Sequence, residues 1–446
     1  MLMGMYYPSC RCAFMGMPIV ALYVSAWASA LLVLAVMGNA KASSRWTSNS
    51  TATHAFFVYI QQNLKLTTNL AGSYMILIHI VMEDLTFLVS WGANKETAWS
   101  GTNYSLYKAL NNYYKVKDIN LSNLSGNRWV NAILRRLLRM DGASLEYYCR
   151  HRLGKKLESI NGNVFQFSEV LSDSKVRRTY MYVDNTVSYV NYMRDQLPDT
   201  FAVSAFQDTN AEIFSKREKE QDEYIRSCSG LFTMGHWLKE WLIQQGFSSD
   251  KIHAVGGGIN VDRSFICPQV KTHNKILFVG KDFKRKGGYI TYEAFKLLRK
   301  QGRNVELYVI GPSQDPIDDP VEGYHFIGLI PFHEEARYYN MCDVFCMPSY
   351  FEAYGLVFVE ALTFGLPCIG RDCYEMPYFI NEGKTGLLLK NDDPHELASL
   401  MQQILDNDTF SQNVVSNRQN YIREYSWSTV AERISSIIKK VGQTFT

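Results

Sequence analysis

The chain has 446 residues, of which 47% are hydrophobic and 20% are charged, and its formal net charge at pH 7 is +3. These values are ordinary for a globular protein, and the length predicts more than one domain. A net charge so close to zero argues against a dedicated nucleic-acid binder. The nine cysteines are odd in number and include no Cys-x-x-Cys pair, which indicates a reducing compartment rather than a disulfide framework.

Residues 13–40 carry no charged side chain and are flanked by Arg11 and Lys41, a pattern typical of a membrane span or a signal peptide. A third interpretation, which we favour, takes Met82 as the true start, because Met82 stands just before the first predicted strand. The preceding segment is then upstream translation or an appendage. In each case we expect residues 1–81 to be an N-terminal extension.

Short apolar runs alternate with longer amphipathic segments from residue 82 onward, which predicts an α/β protein. In the first half, strands are predicted at residues 85–90, 179–183, 201–205 and 231–233. The segment 252–260 closes this half, and residues 267–273 have the composition of a linker. We therefore predict a Rossmann-like first domain over residues 82–262.

The second half repeats this alternation with clearer spacing. Strands are predicted at 276–279 and near 305–310, 325–328, 343–347, 367–369 and 386–389, and helices near 288–301, 332–340, 355–364 and 394–406. That order predicts a doubly wound parallel sheet over residues 274–420. Residues 414–440 are predicted to be helical, and residues 421–446 form the expected C-terminal helix.

Two further segments allow more than one interpretation. Residues 127–139 repeat apolar pairs every four residues with arginines between them, which predicts an amphipathic basic helix. Such a helix can contact anionic lipid, but we favour a helix packed on its own sheet with a solvated basic face. The sequence Asp406-Asn407-Asp408 has the Asp-x-Asp form of metal-dependent transferases. Because it lies between two predicted helices, we expect it to cap them.

A basic turn follows the predicted strand at 276–279. Gly280 and Lys281 come first, and Lys284, Arg285 and Lys286 follow. In an open parallel sheet, ligands bind at the carboxyl ends of the strands, so these cations border a crevice. We predict that Lys281 and Lys286 bind a diphosphate and that Lys284 and Arg285 are solvated or pair elsewhere.

Two carboxylates, Glu352 and Glu360, stand eight residues apart around a predicted strand-to-helix turn. Gly355 lets an anion approach the backbone, and the N–H groups of Leu356 and Val357 face that anion at the positive end of the helix. At 1.5 Å rise per residue the two carboxylates are on the order of 10 Å apart, similar to the span of two sugar rings joined by a diphosphate. One carboxylate can therefore accept hydrogen bonds from ribose hydroxyls and the other from hexose hydroxyls.

These motifs resemble those of the retaining GT-B glycosyltransferases of family 4, also described as glycosyl transferases group 1. The residues that carry the resemblance are Gly280-Lys281, Lys286-Gly287, Glu352-Ala353-Tyr354-Gly355, Glu360-Ala361, Gly365-Leu366-Pro367 and Lys384-Thr385-Gly386-Leu387-Leu388. The family usually has arginine where this chain has Lys281, so a bidentate phosphate contact becomes a point charge. It commonly has phenylalanine where this chain has Tyr354.

The resemblance implies a GT-B fold, in which two Rossmann-like doubly wound domains face a central cleft and the C-terminal helix crosses back to the first domain. We expect Trp427 to anchor that crossing. The resemblance further implies catalytic roles for Glu352, which orients the transferred sugar, and for Lys281 and Lys286, which stabilise the leaving diphosphate. The donor-binding residues that it implies in the second half are Glu360, Gly280, Tyr354, Gly355, Leu356 and Val357.

The first half is expected to carry the acceptor, and its signals are weaker. Gly101 and Thr102 lie in the loop after the first strand, which either closes over the donor phosphates or is an ordinary turn. Many members of the family carry a histidine near the reacting centre. His151 and His236 are the candidates here, but neither lies in a recognisable motif, so we assign no histidine to the site.

We therefore expect a metal-independent retaining hexosyltransferase without a cofactor. It would move a hexose from a nucleotide-diphosphate sugar to a glycan or lipid-linked acceptor, in the synthesis of cell-surface polysaccharide or glycoconjugates. Such a donor places the enzyme in the cytoplasm or on the cytoplasmic face of a membrane, with peripheral membrane contact or an N-terminal anchor as options. Two alternatives stay open: a sugar-nucleotide epimerase of similar architecture, and a non-catalytic nucleotide-sugar-binding protein. The sequence does not identify the base, the hexose or the acceptor.

Overall fold

Two six-stranded sheets, each with all strands parallel, form the centre of the structure, which is a computed structural model. It describes residues 82–121 except 93 and 97, residue 160, and residues 162–167, 177–267 and 272–443. The predicted N-terminal extension, the predicted basic helix at 127–139 and His151 lie outside these residues. From Glu83 to Thr446 the chain is one compact unit.

The first sheet has the strand order β2-β1-β3-β4-β5-β6. Its strands are β1 (Asp84–Val89), β2 (Lys115–Asn120), β3 (Gly162–Gln166), β4 (Arg177–Val183), β5 (Gly230–Thr233) and β6 (Ile252–Ala254). Rings from three strands stack across one face: the centroid of Phe165 lies 5.5 Å from that of Phe87 and 5.9 Å from that of Phe232. Because the chain crosses from β2 over β1 to β3, the topological switch point of this sheet lies at the carboxyl ends of β1 and β3.

The described residues of this half form the α-helices α1 (Thr102–Leu110), α2 (Val187–Gln196), α3 (Pro198–Val203), α4 (Ala211–Ser227) and α5 (His236–Gln244). The predicted strand at 201–205 is therefore wrong. Pro198 begins α3, and its fixed φ suits the first turn of a helix. The sequence analysis also did not predict β2 and β3. As an edge strand, β2 is exposed or half-buried along its length, so its hydrophobic signal is weak.

The second sheet has the order β12-β11-β10-β7-β8-β9. Its strands are β7 (Lys275–Val279), β8 (Glu306–Ile310), β9 (Tyr324–Gly328), β10 (Val344–Cys346), β11 (Cys368–Arg371) and β12 (Gly386–Leu389), and its helices are α6 (Gly288–Lys300), α7 (Phe332–Met341), α8 (Leu356–Phe364), α9 (Met376–Phe379) and α10 (Pro394–Leu405). The strands and helices predicted here are confirmed to within two residues. The strand order reverses between β7 and β10, so the loops after these two strands border the crevice in which doubly wound sheets bind ligands.

The C-terminal segment returns to the first half of the chain. It forms α11 (Thr409–Ser416), α12 (Arg418–Glu424) and α13 (Trp427–Gln443), so the continuous helix predicted over 414–440 is broken twice. The second break is stabilised by Ser426, whose hydroxyl accepts a hydrogen bond from the Thr429 N–H at 3.1 Å. Helix α13 packs on α1. Trp427 lies at its start and donates from Nε1 to Oδ1 of Asn260 at 2.9 Å.

None of the helices in the described part of the chain is long and apolar enough to cross a membrane.

Candidate active site

In the turn after β7, the side chain of Lys286 packs against Gly280. The Gly280 N–H donates to the Ile310 carbonyl at 2.8 Å, and a Cβ atom on Gly280 would lie only 2.9 Å from Cδ of Lys286. A side chain at position 280 would therefore displace Lys286. Lys281 and Lys284 are exposed, whereas Arg285 and Lys286 are partly buried and face the loop after β10.

That second loop ends at the N-terminus of α8. Gly355 has φ 96°, in the left-handed region, and no side-chain hydrogen bond caps the helix. A Cβ atom on Gly355 would lie 3.1 Å from Cγ of Glu352, so glycine relieves both the backbone strain and this contact. Leu356 and Val357 are the first two residues of the helix, where the partial positive charge of its dipole is concentrated.

Glu352 and Lys286 form a buried ion pair. Lys286 Nζ lies 2.6 Å from Glu352 Oε2, and Arg285 NH1 lies 3.9 Å from the same oxygen. Burial raises the pKa of Glu352, but the charges of Lys286 and Arg285 more than offset it, so the pKa lies below its usual value. Glu352 is therefore an ionised carboxylate between two cations.

Arg285 pairs with Asp282, consistent with the prediction that it is solvated or pairs elsewhere, and it also borders this cluster. Its Nε does pair with Asp282 at 3.2 Å, but NH1 donates to the Phe351 carbonyl at 2.7 Å and faces Glu352. The helical spacing of the turn explains this, because Asp282 and Arg285 are three residues apart and the pair holds the guanidinium over the neighbouring loop.

Glu360 lies in a different environment, although it belongs to the same helix as the turn at Gly355. It is 4% exposed, and its carboxylate accepts hydrogen bonds from the Asn260 N–H at 3.2 Å and the Tyr339 hydroxyl at 3.4 Å. Burial raises its pKa to about 7, although the N–H groups of Asn260 and Val261 act against that rise. Glu360 is thus tied to the segment that leads out of the first half.

A third carboxylate, which the sequence analysis missed, lies beside Glu360. Glu335 in the first turn of α7 is 7% exposed, and burial together with the charge of Glu360 raises its pKa to about 8. The charge of Lys281 acts in the opposite direction. Lys286 thus pairs with Glu352, whereas the charge of the exposed Lys281 acts on Glu335.

The predicted first-half residues approach the same region through Asn260. Gly101 has φ 84° and caps α1, and a Cβ atom there would lie 3.3 Å from the Asn260 side chain. Ser105 donates from Oγ to Oδ1 of Asn260 at 3.1 Å. Since the N–H of Asn260 donates to Glu360, Asn260 links the N-terminus of α1, at Gly101 and Thr102, to the second carboxylate of the motif.

Tyr354 uses its hydroxyl for a contact that phenylalanine could not make. The oxygen accepts a hydrogen bond from the Gly257 N–H at 2.9 Å, and the side chain is 4% exposed. A Cβ atom on Gly257 would lie 2.9 Å from Cε1 of the same ring. The structure thus places the Tyr354 side chain against the glycine segment 256–258, which joins the two halves.

Asp184, a carboxylate of the first half that interacts electrostatically with Glu352, was not selected by the sequence analysis. Burial and the charge of Glu352 raise its pKa to about 6, while Arg285 acts to lower it. A signal was available, because Asp184 directly follows the predicted strand at 179–183, at the carboxyl end where ligands bind.

His236, to which the sequence assigns no role, bridges the two halves. Its Nδ1 lies 2.9 Å from Oε1 of Glu375, and the ring stacks on Tyr378 with centroids 5.0 Å apart. The hydrogen bond to Glu375 raises the pKa of His236 above its usual value. Glu375 also accepts from the Trp237 N–H at 3.2 Å.

The Asp-x-Asp sequence at 406–408 lies away from these groups. Asp406 pairs with Arg303, and Asn407 Oδ1 accepts from the Thr409 N–H at 3.0 Å, next to the start of α11. Among the described residues, no group of three or more histidine, cysteine or acidic side chains could hold a metal ion.

A cavity of about 300 Å³ opens at the carboxyl edge of the first sheet. The residues that line it include Ser90, Trp99, Asn103, Phe167, Asp184 and Asn185. Asp184 therefore belongs both to this cavity and to the surroundings of Glu352. Chemically, the whole arrangement offers cations and a helix N-terminus for an anion, an ionised carboxylate for hydroxyl groups, and an adjoining cavity for a second molecule.

Two parallel doubly wound sheets, a cleft bordered by both, and a C-terminal helix that returns to the first half define the GT-B fold of glycosyltransferases. Residues 264–425, which contain Lys286, Glu352 and Glu360, match the family model described as Glycosyl transferases group 1.

Known proteins are similar to this chain in sequence or in fold. A phosphatidyl-myo-inositol mannosyltransferase of Mycobacterium leprae is 26% identical over 224 residues, which cover 48% of this chain and 59% of that protein. Sucrose-phosphate synthase of Thermosynechococcus elongatus has a TM-score of 0.58 at 16% identity, covering 81% of this chain and all of that structure. Anabaena Alr3699/HepE, solved in complex with UDP and glucose, has a TM-score of 0.53 at 14% identity, covering 80% and 99%. At these identities the structural likeness establishes the fold.

Proposed function

We propose that this protein is a retaining glycosyltransferase of family 4 that moves a hexose from a nucleotide-diphosphate sugar to a glycan or lipid-linked acceptor. The observation that carries the proposal is the buried cluster of Glu352, Lys286 and Arg285 at the N-terminus of α8. It lies at the switch point of the second sheet, where ligands of doubly wound domains bind.

The cations of this cluster suit the leaving group. Transfer breaks the bond between the anomeric carbon and the diphosphate, so negative charge develops on a phosphate oxygen. Lys286, Lys281 and the N-terminus of α8 supply positive potential there, and the partly buried position of Lys286 strengthens its electrostatic effect. These groups provide the charge stabilisation that the proposed route needs without a metal ion or cofactor.

The carboxylates suit the two sugars of the donor. Glu352, ionised and held by Lys286, would accept hydrogen bonds from hydroxyls of the transferred hexose, and Glu360 from those of the ribose. In the proposed retaining route the acceptor hydroxyl attacks the face from which the diphosphate leaves. The new glycosidic bond forms as the old one breaks, and the acceptor proton passes to the departing phosphate oxygen.

Two comparisons agree with these substrates. The mycobacterial relative is named for a mannosyl transfer to a phosphatidyl-inositol, and the Anabaena neighbour is described with UDP and glucose. They favour a nucleoside diphosphate at the second half and a hydroxylated or lipid-linked acceptor at the first. A donor of this kind places the proposed reaction in the cytoplasm or on the cytoplasmic face of a membrane.

The first test is binding of nucleoside diphosphates to the full chain. UDP, GDP and ADP, each with its monophosphate, are titrated by calorimetry into the wild type, into Lys286→Ala and into the control Lys284→Ala, whose side chain is exposed. We expect one diphosphate to bind best, at least tenfold weaker binding in Lys286→Ala, and little change in Lys284→Ala, since a charged hydrogen bond contributes about 1–3 kcal/mol. Equal binding in all three proteins would refute the site.

The second test identifies the reaction. The sugar nucleotide with the preferred base is incubated with and without a candidate acceptor, and the products are followed by NMR. Acceptor-dependent release of nucleoside diphosphate with retained anomeric configuration supports the proposal. Conversion of the donor sugar without an acceptor would indicate an epimerase, and binding without any turnover would indicate a sugar-nucleotide-binding protein.

A further inference from the structure

A carboxylate of the second half lies at the N-terminus of a helix of the first half. Glu375 directly precedes α9 and is 1% exposed. Its Oε2 accepts a hydrogen bond from the Trp237 N–H in the first turn of α5, and its Oε1 lies 2.9 Å from Nδ1 of His236. A carboxylate is favoured at this end of a helix, because the first N–H groups have no partner within the helix and the dipole is positive there. Glu375 therefore stabilises α5 from across the boundary between the two halves.

Gly235, the residue before α5, leaves room for this carboxylate. A Cβ atom on Gly235 would lie 2.7 Å from Oε2 of Glu375 and 2.7 Å from Cδ1 of Trp237. Its φ of −93° suits any residue, so the close approach of the carboxylate, and not the backbone, is what favours glycine here. A methyl group at this position would displace Glu375 without changing any charge.

Trp237 connects this contact to the loop that carries Glu352. Its Nε1 donates to the Ala353 carbonyl at 2.7 Å, one residue beyond Glu352. The indole also packs edge-on against the ring of Tyr374, with centroids 5.2 Å apart. One residue of the first half thus bonds two segments of the second half, at Glu375 and at Ala353. Both bonds exist only while the two halves are in contact.

His236 is the group of this contact that titrates near neutral pH. Its side chain is 55% exposed, so its proton exchanges with solvent. The hydrogen bond to Glu375 raises its pKa, burial acts against that rise, and the charges of Glu375 and Glu240 add to it while that of Lys239 opposes it. The ring stacks on Tyr378, whose hydroxyl is hydrogen-bonded to Glu240.

The second titrating group, Glu375, responds to pH in the same direction. Burial raises its pKa, against the hydrogen bonds from His236 and Trp237. Its other titratable neighbours, Tyr354 and Tyr425, stay neutral because burial raises their pKa values. Since both pKa values are raised where the halves meet, protonation favours the joined state. The contribution of His236 is complete below its ordinary pKa of 6.5 and is lost as the pH rises through the raised value.

We infer that His236, Trp237 and Glu375 form a latch between the two halves, which positions the loop of Glu352 and loosens as the pH rises. When His236 gives its proton to solvent, the buried carboxylate of Glu375 loses its cationic partner and the loop is released more often. The three are positioning residues, because they act through the loop and not on the donor. The inference rests on the proposed function, to which it adds control of donor release by pH.

Stopped-flow measurement of nucleoside diphosphate release from the full chain tests the latch. The nucleoside diphosphate that binds best is used at pH 6.0 and at pH 8.5, and each variant's rate is divided by the wild-type rate at the same pH. That ratio cancels the ionisation of the diphosphate itself. In His236→Asn the amide can replace Nδ1 as a donor but cannot gain a charge. We expect its release to be about threefold faster than wild type or more at pH 6.0, and equal to wild type at pH 8.5.

A matched control separates the latch from any other histidine–glutamate pair. His325 Nε2 lies 3.0 Å from Glu306 Oε2, but both residues belong to the second sheet. His325→Ala is therefore expected to release the nucleoside diphosphate at the wild-type rate at both pH values.

Hydrogen–deuterium exchange at pH 6.5 detects the latch without any ligand. We expect peptides that contain Trp237 to exchange about threefold faster or more in Gly235→Ala than in wild type, because the displaced carboxylate no longer accepts from the Trp237 N–H. His325→Ala should exchange there as wild type does. Thermal melts confirm that each variant is folded, and Glu375→Gln replaces Gly235→Ala in this comparison if the latter does not fold.

The outcomes separate this inference from the proposed function. If the nucleoside diphosphate binds in a manner that depends on Lys286, but the release ratio of His236→Asn is the same at both pH values, the latch is wrong and the donor site stands. Wild-type exchange at Trp237 in the folded Gly235→Ala or Glu375→Gln variant would likewise overturn the latch. If exchange there increases while no nucleoside diphosphate binds, the contact between the halves stands and the glycosyltransferase proposal fails, together with the control of donor release.

Discussion

Glu352 and Glu360 belong to one motif, yet their surroundings act on them in opposite directions. Two cations hold the pKa of Glu352 below its usual value, whereas burial raises the pKa of Glu360 to about 7, against the hydrogen bonds from Asn260, Val261 and Tyr339. The difference shows that spacing along the chain places the two carboxylates but does not set their charge. Other elements do that: the turn after β7 supplies Lys286 and Arg285 to Glu352, and the elements packed around α8 bury Glu360.

Removing the cation that pairs with Glu352 should have the largest effect on stability, because it abolishes the difference between the surroundings of Glu352 and Glu360. Lys286→Ala leaves a buried carboxylate without its partner at 2.6 Å, and we expect the free energy of unfolding to fall by about 3–5 kcal/mol. Urea unfolding at pH 7.5 measures it. The exposed Lys284→Ala serves as the control and should change the value by less than about 0.5 kcal/mol. If Lys286→Ala loses no more stability than Lys284→Ala, the ion pair does not stabilise the site.

The raised pKa values of Glu360 and Glu335 predict that stability falls as the pH rises. A carboxylate in an ordinary ion pair has the opposite effect. Because the folded-state pKa values of Glu360 and Glu335 are raised to about 7 and about 8, the folded state holds protons that the unfolded state releases near pH 4.5. Their contribution to stability is therefore complete below about pH 4.5 and is lost as the pH rises through 7 to 8.

The variant Glu335→Gln isolates this contribution. It should raise the free energy of unfolding at pH 8.5 by about 1–3 kcal/mol relative to wild type, with a much smaller difference at pH 5.5, where Glu335 is protonated in the folded protein. Chemical unfolding at the two pH values measures it. Glu334→Gln, one residue away and exposed, is the control. A gain of equal size at both pH values would show that Glu335 is not protonated by its surroundings.

Asp184 should behave as Glu335 does, with a smaller effect. Its folded-state pKa of about 6 lies above the ordinary value of 3.8, so its protonated form contributes stability that is lost as the pH rises through 6. Asp184→Asn should therefore be more stable than wild type by about 1–2 kcal/mol at pH 7.5, with little difference at pH 4.5.

Asp184→Asn should also have a lower glycosyl-transfer activity than wild type. A site residue that lowers the stability of the fold is commonly retained for its function. Melting curves and transfer assays at pH 7.5 test the two expectations together. A variant that is both less stable and fully active would contradict the position of Asp184 in the site.

The smallest expected effect on stability comes from the Tyr354 hydroxyl, which the phenylalanine common at this position in the family would lack. Tyr354→Phe removes the acceptor of the Gly257 N–H and should lower the free energy of unfolding by about 1 kcal/mol. The control is Tyr289→Phe, at a side chain that is 48% exposed. If Tyr354→Phe is as stable as wild type, the hydroxyl does not fix the segment 256–258 against the second half.

Most of the second half could be predicted from the sequence because its signals are local. A buried strand, a glycine and a helix follow one another within a few residues at both the Gly280 turn and the Gly355 turn, and the structure places both turns at one switch point. The first half was harder to predict from the sequence. The strand predicted at 201–205 is a helix that begins at Pro198, and the edge strand β2 lacks the apolar alternation that marks a strand.

The residues that the sequence analysis missed share one property. The raised pKa values of Asp184 and Glu335 come from burial and from the carboxylates of Glu352 and Glu360 on other elements, which spacing along the chain does not reveal. His236 illustrates the same point, because its partner Glu375 is 139 residues further along the chain.

By itself the sequence determined the α/β alternation, the two glycine turns and the pair of carboxylates around α8, because backbone sterics and helix geometry act over a few residues. Only the tertiary structure decided that Lys286 pairs with Glu352, that Asp184 interacts electrostatically with Glu352, and that Asn103 and Asn185 line one cavity. The physical reason is that charge state and ligand recognition depend on burial and on distances of a few ångströms between groups far apart in the chain. Those distances exist only once both sheets are packed.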